Sequence, residues 1–388
     1  MEQIVYFDNS ATTCLCPSAI ERMEQIMHQS FGNPSSLHRL GVEAEHILSA
    51  SRASVMSALF LGRTPKGRLF FTAGGTEADN LAILGCAKAK KLRGKPRIIT
   101  TDSEHPAVLN PLAEAEKMGI EIIKLPTTGG ILDLTALREA MTPDTILVSL
   151  MLVNNETGAR YKIEDAFRMA KAVNPDVITH TDAVQGFLKL PFTPLSLGAD
   201  LVSISAHKVH GPKGVGALWV SDEVIKTKRL TPVILGGGQE DGMRSGTENT
   251  IGIAGFAAAC ETGLASLKEN MKHAAALRTV IAEGLDPEIR LNTPKGEYAS
   301  HILSLTLPRI KSETMLHYLS GQGICVSSGS ACSSHGKHEN HVLAGFGLTK
   351  EEADCTIRVS LCGSNKTEEA EHFLAAIAEG LRTLIRIK

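Results

Sequence analysis

The sequence predicts an α/β protein built on a mostly parallel, seven-stranded sheet with helices on both faces, joined to a smaller α+β domain. Seven short β-branched apolar runs lie between residues 68 and 220, and amphipathic stretches of helical spacing separate them. Such alternation is typical of parallel sheets, because every parallel connection needs a crossover that covers a face. After three consecutive glycines at 236–238 the pattern changes and strands become few.

Each apolar run is predicted as one strand of the large sheet. The seven runs are residues 68–73, 97–101, 120–125, 145–153, 177–181, 200–205 and 215–220. Three stretches with apolar residues at helical spacing are predicted as covering helices, namely residues 77–92, 107–118 and 163–173. Ligands of such sheets usually bind beyond the carboxyl ends of the strands, which directs the search for a site.

The last third of the chain predicts a helical segment followed by a small mixed domain. An Ala-rich stretch at 250–283 is predicted as one long helix, and Thr349 with Glu352 predicts a capping box at the start of another. The remaining predicted elements are strands at 301–307, 324–327 and 356–361 and an end helix containing Phe373, Ile377, Leu381 and Leu384. We expect a large domain at 16–260 and a small domain formed by 1–15 and 261–388.

Composition excludes several classes of function. The chain has 388 residues with 40 Lys and Arg against 42 Asp and Glu, so no basic excess favours nucleic acid or an anionic membrane. No apolar run approaches the ~20 residues of a membrane helix, and the N-terminus resembles neither a secretory signal nor a transit peptide. The eight cysteines form no Cys-x-x-Cys pair and are expected to be reduced. We therefore expect a cytoplasmic protein.

The segment 71–77 (FTAGGTE) is a candidate phosphate site. A predicted strand runs through Gly74 and Gly75 into a helix beginning near Thr76. Backbone N–H groups at a helix N-terminus, the helix dipole and a hydroxyl together bind phosphate, although an ordinary strand-to-helix turn fits the segment equally well. No P-loop and no dinucleotide fingerprint is present, so a smaller phosphate ester is favoured.

Lys208 is the candidate for covalent chemistry. It lies just past the predicted strand at 200–205 and before a Gly/Pro turn, whereas most lysines are solvated surface charges. A partly desolvated lysine at a strand end can lose its proton and form a Schiff base. Ser203, Ser205 and His207 add polar groups in period-2 register, as expected where a strand end faces a ligand.

Four polar residues follow other predicted strands. Asp182 could pair with a protonated pyridine nitrogen, or it could be a helix N-cap. Gln185, Asn155 and His105 are each more often turn or cap residues when considered alone. A phosphate cradle, a Schiff-base lysine, an acid and a stacking histidine at one sheet edge together match the requirements of pyridoxal phosphate.

These motifs resemble a known family. The sequence is similar to the fold-type I pyridoxal phosphate enzymes, and within them to the cysteine desulfurases of the class V aminotransferase superfamily. The resemblance covers nearly the whole chain and rests on YFDNSATT (6–13), GNPSSLH (32–38), 71–80, 155–158, the Lys208 segment, MRSGTEN (243–249) and SSGSACS (327–333).

The resemblance implies a role for each candidate residue. Lys208 would hold the cofactor, Asp182 would pair with its ring nitrogen, and His105 would stack on the ring and act as acid or base. Gln185 and Asn155 would lie beside the ring hydroxyl, with Asn155 also near the substrate. The phosphate would be bound by Gly75, Thr76, Ser205 and His207, with Thr247 from the second subunit of a homodimer. Arg358 would bind the substrate carboxylate through its planar fork.

Cys332 would decide the reaction. It lies in a polar stretch at 327–341, where nearby hydroxyls, Lys337 and histidines favour its thiolate. The resemblance implies that Lys208 removes the α-proton of L-cysteine and that Cys332 takes the sulfur as a persulfide, releasing L-alanine. An acceptor protein, either an iron–sulfur scaffold or a tRNA-thiolation protein, would then receive the sulfur. Cys332 also precedes His335, His338 and His341 at regular spacing, but we expect no metal.

Other functions stay open at this point. An aminotransferase or a selenocysteine lyase would share the cofactor site and differ in its need for Cys332. A non-catalytic protein that receives sulfur or iron on its cysteines would bind no cofactor. Cys362, close to Arg358 in sequence, is either a packing residue or a second residue that handles sulfur.

Overall fold

The computed structural model describes residues 4–89, 94–328 and 340–387. In chain order, the strands and α-helices are β1 (Val5–Tyr6), α1 (Pro17–Gln29), α2 (Arg39–Leu59), β2 (Arg68–Thr72), α3 (Gly75–Ala89), β3 (Arg97–Thr101), α4 (Pro106–Lys117), β4 (Glu121–Leu125), α5 (Leu134–Ala140), β5 (Thr145–Ser149), α6 (Ile163–Val173), β6 (Ile178–Asp182), α7 (Pro194–Leu197), β7 (Leu201–Ser205), β8 (Gly216–Val220), α8 (Asp222–Thr227), α9 (Thr250–Gly284), β9 (Arg290–Leu291), β10 (Ile302–Thr306), α10 (Ser312–Gly321), β11 (Ile324–Cys325), α11 (His341–Phe346), α12 (Lys350–Asp354), β12 (Thr356–Ser360) and α13 (Thr367–Thr383).

The large sheet confirms the predicted fold class. Its seven strands lie in the order β2-β8-β7-β6-β5-β3-β4, and the pairs from β7 through β4 are all parallel. Only β8 runs against its two neighbours, β7 and β2. The sheet is therefore mostly parallel, and the carboxyl ends of β3, β5, β6 and β7 share one edge.

Apolar residues alternate between the two faces of this sheet. Phe71, Ile99 and Val148 belong to a cluster on one face, packed with residues of α2, α6 and α9. Their sequence neighbours, among them Phe70 and Ile98, belong to a cluster with α3 and α4. Because both faces are covered, the strands are apolar throughout, which is why the sequence showed continuous apolar runs.

One predicted strand is too long. The run 145–153 was expected to be a single strand, but β5 ends at Ser149. The following residues stay buried, with the Leu150 and Leu152 amides donating to the carbonyls of His180 and Asp182. The chain then folds back at 154–159, so that Val153 forms a bridge with Arg160 and no longer continues the sheet. This loop carries Asn155 to the strand ends.

The smaller part of the molecule has its own apolar core. Strands β12, β10 and β9 form an antiparallel sheet, β1 pairs with β11, and Phe7 meets the Phe373 ring edge-on at 5.9 Å between centroids. Helix α9 contributes early residues such as Phe256 to the large core and late residues such as Leu277 to the small one. We therefore propose the domain boundary within α9, near residue 260, with the first 15 residues in the small domain.

Helix α9 is long and apolar enough to cross a membrane by length and composition alone, which the sequence prediction overlooked. Half of its most apolar window is buried, and it packs against α1, α2 and α13. These contacts are those of a core helix.

The predicted capping box is confirmed at α12, where the Glu352 amide donates to the Thr349 hydroxyl and the Thr349 amide donates to the Glu352 carboxylate.

Candidate active site

A cleft of about 250 Å³ lies at the carboxyl ends of the central strands. It brings together ten of the twelve residues predicted from the sequence: Gly75, Thr76, His105, Asn155, Asp182, Gln185, Ser205, His207, Lys208 and Arg358. Asp182 ends β6 and Ser205 ends β7, while Gly75 and Thr76 begin α3. The parallel strands place these side chains together because their carboxyl ends share one edge of the sheet.

Lys208 extends into this cleft from the turn of 3-10 helix that follows β7. Its Nζ donates to the carbonyl oxygens of Ser10 and Ala11, at 2.6 and 2.7 Å. The N-terminal segment is fixed there because the Thr13 amide and hydroxyl both donate to the carbonyl of His207. The first residues of the chain therefore form one wall around the amine.

Asp182 is a buried carboxylate near Lys208. Its Oδ1 accepts from the Val184 amide at 2.9 Å, and a turn follows it, so it does not cap an α-helix. Burial raises the pKa of Asp182 to about 6, although the Val184 N–H and the Lys208 charge work in the opposite direction. A cation placed against its free oxygen would hold the carboxylate in its charged form.

Asp79 lies beside Asp182 on the buried face of α3. Burial, followed by the Asp182 charge, raises the pKa of Asp79 well above its ordinary value. Oδ1 of Asp79 lies 3.6 Å from Nε2 of His180, whose own pKa burial lowers to about 3. Burial therefore disfavours the charged forms of both side chains.

The start of α3 forms the other end of the cleft. The Gly75 and Thr76 backbone approaches Ser205 and His207, and an added Cβ at Gly75 would lie 2.8 Å from a methyl carbon of Val184. Burial, with the charge of Lys208, lowers the pKa of His207 to about 4. A helix N-terminus facing hydroxyl and imidazole groups favours an anion such as phosphate.

His105 combines the two interpretations that the sequence left open. Its Nδ1 accepts from the Ala107 amide, which makes it the N-cap of α4, and its ring also lines the cleft. Burial, with the charges of Lys208 and His341, lowers the pKa of His105 to about 4. The ring is therefore neutral at pH 7 and available for stacking.

Arg358 lies on β12, and its side chain is almost fully buried at the edge of the cleft. Its guanidinium donates to the Asn155 carbonyl at 3.0 Å and to Oδ1 of Asp8 at 2.8 Å. Nε of Arg358 has no hydrogen-bond partner within the described chain. The guanidinium is thus fixed in place while one buried donor stays available for a ligand.

Unsatisfied polar atoms concentrate at this cleft. Of the ten buried side-chain atoms that lack a hydrogen-bond partner in the described ranges, five belong to residues lining it. They are Ser10 Oγ, Asp79 Oδ1, Asn155 Oδ1, Ser205 Oγ and Arg358 Nε. Leaving a buried polar group unpaired costs about 1–3 kcal/mol, so such a concentration indicates a ligand site.

The family of the chain follows from its similarity to known proteins. The family model described as aminotransferase class-V matches residues 5–373. The chain belongs to the class-V aminotransferase family. A relative from Dictyoglomus turgidum named cysteine desulfurase IscS is 37% identical over 392 residues, covering 99% of this chain and 97% of its own.

Two solved structures extend this comparison. A structure described as a NifS-like protein has a TM-score of 0.90 and 38% identity, covering 98% of this chain and 100% of its own. One described as SspA in complex with cysteine has a TM-score of 0.79 and 33% identity, covering 92% of this chain and 98% of its own. The class-V fold is thus shared along nearly the whole length of the chain.

Two predicted site residues of this class-V enzyme are not in the cleft described above. Thr247 is exposed and lines a separate cavity with Ala73 and Gly214. Cys332 lies outside the described residues, as do His335 and His338. His341 is described, and its Nε2 lies 3.0 Å from the carbonyl oxygen of Glu104. Among the described ranges, no three His, Cys, Asp or Glu side chains are grouped as a metal site.

Sequence reasoning missed three residues of the site. Ser10 and Ala11 bind the Lys208 amine through backbone carbonyls, which leave no signal in the residue type. Asp79 left a detectable signal, because it is an acid on the inward face of α3 among Ala78, Leu81 and Ala82. A buried acid in an amphipathic helix should have been considered a site residue.

Proposed function

We propose that the protein is a cysteine desulfurase, which uses pyridoxal phosphate to convert L-cysteine to L-alanine and a persulfide on Cys332. The observation that carries this proposal is the cleft in which Lys208, Asp182, His105 and Arg358 meet. The name of the Dictyoglomus turgidum relative and the cysteine complex of the SspA structure support the same reaction and substrate.

The polar atoms of the cleft fit pyridoxal phosphate along its length. Ser205 Oγ and the start of α3 suit the phosphate, Asn155 Oδ1 suits the ring hydroxyl, and Asp182 suits the ring nitrogen. The neutral His105 ring suits stacking against the pyridine. When bound, this cofactor supplies an aldehyde that joins to amines and a protonated ring that withdraws electrons from the α-carbon.

Residues of this chain orient the substrate and move its proton. Arg358 binds the cysteine carboxylate through its remaining N–H groups, Nε among them, while Asn155 and Asp8 each accept one N–H of a terminal nitrogen and hold the guanidinium in place. Nζ of Lys208 takes the α-proton, and the carbonyls of Ser10 and Ala11 hold that amine in position. Asp182 keeps the ring nitrogen protonated, since burial makes an unpaired carboxylate there costly.

The sulfur is transferred to Cys332. Its thiolate attacks the sulfur of the bound cysteine, so that an S–S bond forms while the C–S bond breaks. The electron pair of the C–S bond stays with the β-carbon, which takes up a proton, and the α-carbon regains a proton from Lys208, so that L-alanine leaves. The persulfide then passes to an acceptor protein, for which we propose an iron–sulfur scaffold or a tRNA-thiolation protein in the cytoplasm.

A homodimer would complete the phosphate site. Thr247 is exposed and apart from the cleft of its own subunit, which suits a residue that serves the partner's cofactor. Two large apolar side chains, Phe31 and Leu37, are 82% and 98% exposed on the same molecule. Burial of such side chains in a second subunit would stabilise the dimer, and light scattering should give twice the mass of one chain.

The proposal is tested by the absorbance of the holoenzyme and by its products. Lys208→Ala should abolish the absorbance change that cysteine produces in the wild type. Cys332→Ser should keep that change but form neither protein-bound persulfide nor alanine, because no thiolate is present to take the sulfur. Normal sulfide release from Cys332→Ser would exclude Cys332 from the reaction and would favour a lyase or aminotransferase that needs no thiol.

Two matched variants control for general damage. Cys14→Ser removes an exposed thiol that is not part of the cleft, and its persulfide yield should equal that of the wild type. Lys124→Ala removes an exposed lysine on β4 and should leave the absorbance change intact. A protein that stays colourless with added pyridoxal phosphate would instead favour a non-catalytic scaffold.

A further inference from the structure

A second cavity, of about 90 Å³, adjoins the cleft, because Lys208 lines both. Its titratable lining residues are Lys189, Lys208, His210, His301 and Cys362, and no Asp or Glu of the described chain lines it. A cavity with basic groups and no acid favours an anion. Since a water molecule takes about 30 Å³ in the liquid, the space beside the Cys362 thiol accommodates an added atom.

His301 supplies an independent indication of a ligand. Its side chain belongs to a residue only 6% exposed, and Nε2 is buried without a hydrogen-bond partner in the described part of the chain. The Leu361 amide donates to the His301 carbonyl at 2.8 Å, so the residue before Cys362 is bonded to this histidine. An unpaired ring nitrogen in a cavity is satisfied when a ligand atom enters it.

Lys189 connects this cavity to the cleft. Its Nζ donates to Oε1 of Gln185 at 2.9 Å, and the Gln185 amide nitrogen donates to the Ser10 carbonyl that also binds Lys208. Burial lowers the pKa of Lys189 to about 7, the Lys208 charge adds to this, and nearby Cys362 opposes it. Near neutral pH this amine can therefore accept a proton from a neighbouring acid and then stabilise an anion.

Cys362 is accessible to a donor at the mouth of this cavity. The residue is half-buried, its Sγ lies 3.1 Å from the Ser364 hydroxyl, and its amide donates to Oδ1 of Asn365. A Cβ added at Gly363 would lie 2.2 Å from Oδ1 of Asn270, so this turn packs closely against the Asn270 side chain of α9. The thiol is thus held by its own turn beside the basic cavity.

We propose that this cavity is a sulfane-sulfur site, in which Cys362 accepts the outer sulfur of a persulfide and Lys189 stabilises the new persulfide anion. The proposal rests on the function proposed above, which generates a persulfide. The Cys362 thiol gives its proton to the Lys189 amine, and the thiolate attacks the outer sulfur of the donor. A new S–S bond to Cys362 forms while the S–S bond of the donor breaks. The electron pair leaves with the inner sulfur of the donor as a thiolate, so no oxidant is consumed.

The test separates this site from the desulfurase reaction. The holoenzyme carrying Cys332→Ser is mixed with cysteine persulfide, thiols are alkylated at intervals, and mass spectrometry measures the added sulfur on each cysteine. Cys14 is the internal control, because it is exposed whereas Cys362 is half-buried. We expect Cys362 to gain sulfur about tenfold faster than Cys14, which corresponds to about 1.4 kcal/mol of transition-state stabilisation.

Variants of Lys189 test the charge of the cavity. Lys189→Met should lower the rate at Cys362 to about that of Cys14, Lys189→Arg should lower it as well because a guanidinium cannot take up the thiol proton, and Lys124→Met should leave it unchanged. Thermal unfolding of each variant identifies any that fails to fold. If Lys189→Met fails to fold, the rate at Cys362 in Lys189→Arg is compared with that of the parent protein instead. Equal or faster labelling of Cys14, or an unchanged rate in a folded Lys189→Met variant, would overturn the proposal. Because the donor is added, failure here leaves the desulfurase proposal intact, and failure of that proposal leaves this result intact.

Discussion

Arg358 offers the sharpest test of substrate binding, because its guanidinium is already held on two sides. The Asn155 carbonyl and the Asp8 carboxylate each accept one N–H of a terminal nitrogen, and the buried Nε has no partner among the described residues. Arg358→Lys keeps the charge but removes that donor and the planar fork. A hydrogen bond to a charged group contributes about 1.5–3 kcal/mol, so the dissociation constant for cysteine should rise about 10- to 150-fold.

The assay is the absorbance change of the holoenzyme titrated with L-cysteine and, separately, with cysteamine. Cysteamine lacks the carboxylate, so its dissociation constant should change little in Arg358→Lys. The ratio of the two constants isolates the carboxylate contact from any general disturbance of the site. An equal loss for both ligands, or no loss for cysteine, would refute the assignment of Arg358 to the carboxylate.

Three further predictions concern burial, packing and capping. Burial raises the pKa of Glu104 from 4.5 to about 8, so the folded state loses stability relative to the unfolded state as pH rises from 4.5 towards 8. Glu104→Gln should therefore increase the free energy of unfolding by about 1–3 kcal/mol at pH 7.5 and leave it unchanged at pH 4.5, measured by urea unfolding. Gly75→Ala should weaken cofactor binding, because the added methyl group would overpack against Val184 at a cost of about 1–3 kcal/mol. Adding Val184→Ala to this variant should restore the affinity, which is measured by titrating the apoprotein with the cofactor. Thr349→Ala removes the capping box of α12 and should cost about 1 kcal/mol in urea unfolding at any pH from 6 to 8.

The sequence predicted the sheet well because both of its faces are buried. Continuous apolar runs such as the one ending at Thr101 indicate buried strands regardless of how those strands are connected. The amphipathic pattern of α6 also predicts both of its ends correctly. The prediction of one strand over 145–153 was too long because hydropathy indicates burial, and a buried residue need not be paired in a strand. Leu150 and Leu152 are fully buried without belonging to β5.

The residues that act through their side chains could be predicted from the sequence. The residues that act through backbone carbonyls could not. Asp182 and Lys208 follow strands, and their residue types limit what they could do there. The carbonyls of Ser10 and Ala11 approach Lys208 from about 200 residues away, a contact that depends on β12 pairing with the N-terminal segment at Asp8. No pattern within a strand or helix encodes such a contact, since it arises only when the two ends of the chain meet.

Burial raises the pKa values of the acids around the cleft to different extents, and this difference supports Asp182 as the partner of the ring nitrogen of the proposed cofactor. Glu104 and Asp79 are fully buried, and burial raises the pKa of Glu104 to about 8 and that of Asp79 well above its ordinary value, so desolvation disfavours the charged form of both. The pKa of Asp182 is raised only to about 6, because the Val184 N–H and the Lys208 charge oppose desolvation. Asp182 is therefore the carboxylate most easily kept ionised by an added cation.

The histidines complete this selection by staying neutral. Burial lowers the pKa values of His105 and His207 to about 4, and Lys208 contributes to both shifts. Had either ring been cationic, it would have competed with the pyridine nitrogen for Asp182 and repelled the Lys208 amine. The positive charges that line the cleft are therefore those of Lys208 and Arg358, which leaves Asp182 free of a histidine cation and open to the cation that the proposed cofactor would bring.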